Sequence, residues 1–150
     1  MKKLLWIMVL GLFLSENAHA KDGLGPVEFS TRNYNAFIAY LTGDYKSQDH
    51  SGMLKNTGGN PEGFAINQAG TVAQFFYCPR GSECTATGTI DAQNACTKNS
   101  KKQGGERCFV FAKRRVIVWD STYIKIPRKV TKDQVNEIFA KYGWYAEIEN

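Results

Sequence analysis

A chain of 150 residues, 43% hydrophobic and 22% charged, has room for one folded domain and too much apolar content to be disordered throughout. Its formal net charge of +5 favours anionic surfaces at low salt, but it is too mild to mark a nucleic-acid binder. The sequence has no C-x-x-C, no P-loop, no dinucleotide glycine fingerprint and no HExxH, so the common motifs of thiol, nucleotide and zinc-hydrolase chemistry are excluded.

The first 20 residues read as a leader. Lys2 and Lys3 precede the apolar run LLWIMVLGLFL, and Asn17-Ala18-His19-Ala20 puts small residues at the −3 and −1 positions. This is the pattern of a cleavable signal peptide over 1–20, with Lys21 as the first mature residue. The apolar run is well short of the ~20 residues that span a bilayer. No cysteine at the cleavage point marks a lipid anchor. The expectation is a periplasmic or secreted protein with a single domain over 21–150.

Residues 21–29 read as an irregular lead-in. Ser30 is then a helix N-cap, and Tyr34, Phe37, Ile38 and Leu41 recur at helical spacing up to Gly43, which predicts an amphipathic helix over 31–42. The segment 43–63 is polar, rich in Gly and Asn, and predicts a long mobile loop. From Phe64 the period changes to two. FAIN and VAQFFYC, joined by Gln68-Ala69-Gly70-Thr71, predict a β-hairpin. The second strand is apolar on both faces, which predicts a central position.

TGTIDAQNACTKNSKK predicts a helix with Thr89 as N-cap and Ala92, Ala95, Cys96 and Asn99 on one face. Lys98, Lys101 and Lys102 fall near its C-terminal end, as the helix dipole prefers. Gly104-Gly105 stops it. CFVFA and VIVW, residues 108–112 and 116–119, predict two strands. Lys113, Arg114 and Arg115 lie between them, and a buried strand does not carry three adjacent cations, so they form the turn. As an exposed turn it contributes little to stability. Thr131 and Gln134 form a capping box, Val130 and Val135 a hydrophobic staple, and Gly143 the stop of a last helix with Val135, Ile138, Phe139 and Tyr142 on its apolar face. The class is α+β: a small antiparallel sheet of about four strands, β-β-α-β-β, with helices packed on it.

All four cysteines, Cys78, Cys84, Cys96 and Cys108, lie past residue 20. An even count in a small exported chain predicts two disulfides. Their spacing lacks the C-x2-4-C pair usual in structural zinc sites. Adjacent pairing is expected, Cys78–Cys84 and Cys96–Cys108, because Pro79 and Gly81 turn the chain back after the first cysteine and Gly104-Gly105 returns it to the last. Nested pairing, Cys78–Cys108 with Cys84–Cys96, stays open if Cys78 and Cys108 head adjacent strands.

Past residue 20 the one histidine is His50, flanked by Ser47 and Ser51 in the long loop with nothing to orient it. Glu83, Asp91, Asp120, Glu137 and Glu147 are scattered. No catalytic residue, metal ligand or cofactor is assigned. The strand aromatics Phe75, Phe76, Tyr77, Phe109, Phe111 and Trp119 read as core.

The run YCPRGSEC, an Ala-rich helix carrying Cys96, and then RCFVFAKRRVIVW resembles the pattern of an uncharacterised family of small exported proteins of alphaproteobacterial type. The resemblance covers Phe64 to Trp119. It implies no activity. It implies structural roles for Cys96 and Cys108, and basic residues before the V-I-V-W strand as a family habit. The expected function is a non-catalytic exported binding or structural module. One alternative is an electrostatic binder of an anionic polymer or envelope lipid through Lys98, Lys101, Lys102, Lys113, Arg114 and Arg115. The other is a small periplasmic enzyme using carboxylates.

Overall fold

The computed structural model describes residues 21–42, 59–79, 84 and 87–144. Residues 1–20, where a leader is expected, His50 and most of the 43–63 segment lie outside the described residues. The elements are α1 (Thr31–Thr42), β1 (Gly59–Asn67), β2 (Ala73–Pro79), α2 (Gly88–Lys102), β3 (Cys108–Lys113), β4 (Val116–Ile117), β5 (Ile124–Lys125) and α3 (Lys132–Tyr142). The strands form one antiparallel sheet in the order β2-β1-β3-β4-β5. The α+β class is as expected, with five strands rather than four.

Alternation along β1 divides the interior into two unequal parts. Phe64 and Ile66 face a large aromatic cluster with Phe29 and Phe37, Phe111, Trp119, Phe139 and Trp144. Phe37 of α1 packs edge-on against Phe64 at 5.1 Å, and Phe139 of α3 lies 5.8 Å from Phe111. Ala65 faces the opposite way, into a small cluster with Val72, Ala92, Cys96 and Cys108. That face is covered by α2, and small residues let it come close: a Cβ on Gly63 would sit 2.6 Å from the Thr89 Cα. A bulge between Phe64 and Ala65 in the β1–β3 register lets Phe111 and Ala112 both join the aromatic side.

Local signals place the first and last helices well. Ser30 Oγ accepts from Asn33 N at 3.3 Å. The Thr131–Gln134 capping box forms in both directions, and Gly143 ends α3 at φ 69°. Elsewhere the structure corrects the sequence reading. The 43–63 loop is shorter than predicted, since β1 begins at Gly59. Pro61 is tolerated there because β1 pairs on one side only until Gly63 meets Lys113. The second strand of the hairpin is an edge strand, not a central one. Its two apolar faces are explained by helices above and below, with Phe75 near Tyr40 of α1 and Phe76 against Gly88 of α2.

Thr89 is not a cap. It lies inside α2, where its hydroxyl donates to Glu62 O at 3.1 Å, and Thr87 takes the cap position without a side-chain capping hydrogen bond. The buried face of α2 is Gly88, Ala92, Gln93, Cys96 and Ser100, and Ala95 is exposed. Gln93 and Ser100 are tolerated inside because each has partners: Gln93 Nε2 donates to Cys108 O at 2.9 Å, and Asn67 Nδ2 lies 3.4 Å from Ser100 Oγ. The strand expected over 116–119 ends at Ile117, and Trp119 opens a short 3-10 turn to Ser121.

Both disulfides have the adjacent pairing, Cys78–Cys84 and Cys96–Cys108, each with Cα atoms 5.8 Å apart. Two disulfides belong to an oxidising, non-cytoplasmic compartment. No described helix is long and apolar enough to cross a membrane.

Candidate anion-binding surface

The cationic turn sits where the sequence places it. Lys113 pairs with Val116 across the β3–β4 hairpin, leaving Arg114 and Arg115 as its two connecting residues. Arg114 takes up the tight reversal at φ 52°, a value that favours glycine. The three side chains differ in their surroundings. Lys113 Nζ lies 2.6 Å from Asp22 Oδ1, a buried oxygen that has this ion pair but no hydrogen bond of good geometry. Arg114 is 77% exposed, and its Nε is 3.6 Å from Glu62 Oε2. Its backbone does the structural work: N donates to Glu62 O at 2.9 Å, and O accepts from the Tyr40 hydroxyl.

Arg115 is half-buried. Its guanidinium donates to Leu41 O at 2.6 Å and Pro127 O at 3.2 Å. It therefore ties the end of α1 to the β5–α3 connection, and it satisfies a carbonyl in the last turn of α1. Of the three cations, Arg114 is left facing solvent.

The structure adds cations that the sequence reading did not assign. Between Asp120 and Asp133 the chain carries Lys125, Arg128, Lys129 and Lys132 and no acid. All four are exposed. Lys125 pairs with Val116 on β4, Ile126 N donates to Arg115 O at 2.7 Å, and Arg115 reaches Pro127 O. These bonds set Arg128 and Lys129 beside the cationic turn, with Lys132 as the first residue of α3. None of the four has an ion-pair partner among the described residues. Lys132 Nζ lies 5.8 Å from the centre of the Tyr34 ring. An acid-free stretch next to KRR was the signal available in the sequence.

Lys98, Lys101 and Lys102 do not join this surface. The N-terminal end of α2 lies over Gly63, which pairs with Lys113, and its C-terminal end lies by Asn67, which pairs with Cys108. The α2 lysines and the turn are therefore at opposite ends of β3. Thr89 to Ser100 alone spans roughly 16 Å along the helix axis. The six cations assigned from sequence form two separate groups.

Among the described residues no three His, Cys, Asp or Glu side chains come together as a metal site. The described residues define a disulfide-stapled α+β protein built on a five-stranded antiparallel sheet. No family model, curated protein or solved structure matches the chain.

Proposed function

We propose that this chain is an exported, non-catalytic binding module that meets an anionic envelope component through Arg114, Lys125, Arg128, Lys129 and Lys132. The observation that carries the reading is the run of four exposed cations with no acid between them, set beside the β3–β4 turn. Exposed cations of this kind add salt-sensitive attraction to phosphate or carboxylate groups without needing a shaped pocket. The leader over 1–20 and the two disulfides support export.

The non-catalytic part rests on how the buried polar groups are used. Asn33 Nδ2 donates to Gly70 O, Asn67 Oδ1 accepts from the Thr71 and Val72 amides, and Gln93 bonds the backbone of Lys21 and Cys108. Each holds a turn or a strand.

Binding to vesicles containing phosphatidylglycerol, and separately to heparin, tests the reading and distinguishes a lipid surface from a soluble polymer. Each cation near an anionic surface is worth about 1 kcal/mol, so a Lys125, Arg128 and Lys129 to Ser triple variant loses about 3 kcal/mol, roughly a hundredfold. The Lys98, Lys101 and Lys102 to Ser variant keeps its affinity. Equal losses in the two variants, or no binding by the wild type to either probe at low salt, would reject the proposal.

A further inference from the structure

Residues Lys21 to Gly25 stand immediately after the expected cleavage point, and one of them, Asp22, bridges the edge of the sheet at Val110. The far edge of β3 is uncovered over Cys108–Val110, because β4 pairs with Ala112 and Lys113. The segment fills that edge. Asp22 bridges Val110 in parallel, Val110 N donates to Lys21 O at 2.8 Å, and Gly23 N donates to Val110 O at 3.1 Å. The buried amide of Gln93 clamps the first residue: Oε1 accepts from Lys21 N at 3.1 Å, and Nε2 lies 3.4 Å from Lys21 O and 2.9 Å from Cys108 O.

Further along, Asp120 N donates to Gly23 O at 2.9 Å, Gly25 N to Asp120 Oδ1 at 2.6 Å, and Trp119 Nε1 to Gly25 O at 2.6 Å. Gly23 lies flat on the Trp119 ring, where a Cβ would come within 2.0 Å of it. Asp120 makes these bonds at φ 51°, with Ser121 at 57° and Tyr123 at 53°. Three left-handed non-glycine residues in four are strain that the surrounding structure holds in place.

From this we infer that cleavage after Ala20 precedes docking of this strand, so that processing comes before completion of the fold. The inference rests on the export reading. Recognition of an extended peptide engages the backbone N–H and C=O groups around the bond to be cut. In the folded protein the N–H and C=O of Lys21 are already taken by Gln93 and Val110. Cutting therefore proceeds only through molecules in which the strand has opened. Hydrolysis breaks the Ala20 C–Lys21 N bond. Water supplies the oxygen of the new carboxylate and both of its protons to the nitrogen, which becomes an α-ammonium. Gln93 Oε1 then accepts from a charged donor, and the bond at Lys21 N gains charge assistance.

The test compares the full-length precursor, folded and oxidised, with the same precursor held reduced and unfolded, each given a bacterial signal peptidase. Mass spectrometry follows the product that begins at Lys21. The folded precursor is expected to be cut at least about tenfold more slowly. Gly23→Val, which cannot lie against Trp119, and Gln93→Ala, with near-UV circular dichroism to confirm its fold, each bring the folded rate toward that of the unfolded chain. Equal rates for folded and unfolded wild type would overturn the inference and leave the export reading intact. Absence of cleavage in both forms would remove the export reading, and the inference with it.

Discussion

Arg114 and Arg115 are neighbours in one turn with opposite roles. The Arg115 guanidinium holds two backbone carbonyls, one of them 74 residues away at the end of α1. Hydrogen bonds to a charged group are worth about 1.5–3 kcal/mol, so Arg115→Ala should lower the unfolding free energy by about that amount in chemical denaturation. Arg115→Lys recovers only part of it, because an ammonium lacks the planar fork that bridges two acceptors. Arg114→Gly should stabilise. The left-handed φ costs a side-chain-bearing residue about 1–2 kcal/mol, glycine gives back about 0.5–1 in chain entropy, and the pair with Glu62, long at 3.6 Å and open to solvent on the Arg114 side, is worth little. A net gain near 0.5 kcal/mol is expected, and a loss of more than that would show that the largely buried Glu62 carboxylate depends on this pair. The sequence made the turn legible, because three adjacent cations between apolar runs have no other place to go. It did not show that Arg115 is needed for stability, since its acceptor on α1 is remote in the chain.

At the scale of elements, the same division between local and distant causes explains what could be read. The bounds of α1 and the capping box of α3 depend on residues within one turn, and both were legible. The start of β1, the face of α2 and the edge position of β2 depend on partners brought by the fold, and all three were misread. Thr131→Ala, which removes a cap whose hydroxyl accepts from Gln134 N at 3.3 Å, should cost about 1 kcal/mol. The two disulfides allow a sharper comparison. Their sequence separations are 6 and 12, and chain entropy alone ranks them within about 0.5 kcal/mol of each other. Burial separates them further. Cys96 and Cys108 are both 0% exposed and belong to the small core under α2, whereas Cys84 is only half-buried. Replacing Cys96 and Cys108 by Ala should therefore cost more than replacing Cys78 and Cys84, by about 1 kcal/mol or more once the cavity is included. Equal losses in denaturant titrations would mean that the small core collapses around the missing sulfurs.

Over the whole molecule the sheet has a heavily packed face and a lightly packed one. The aromatic side, with α1 and α3, buries Phe29, Phe37, Tyr40, Phe64, Phe111, Trp119 and Phe139 almost completely. The α2 side offers Ala65, Val72 and Ala92 with a disulfide. So few apolar atoms bury little area, and the cross-link and the Gln93 hydrogen bonds make up part of what burial does on the other face. Gln93 on that face also bonds Lys21, whose carbonyl accepts from Val110 N, so α2, the Cys96–Cys108 bridge and Lys21 are expected to open as one unit. In the chain-entropy view the bridge stabilises by about 3 kcal/mol against any opening that frees the chain from 96 to 108, which is roughly a hundredfold in the opening constant. An opening confined to α1 or α3 leaves that loop closed and gains nothing from the bridge. Native-state hydrogen exchange before and after selective reduction should therefore show amides of α2, together with that of Val110, losing about two orders of magnitude of protection while those of α1 and α3 change little. A uniform loss across all three helices would show instead that the two faces unfold together, and that the aromatic core does not hold its side of the sheet independently.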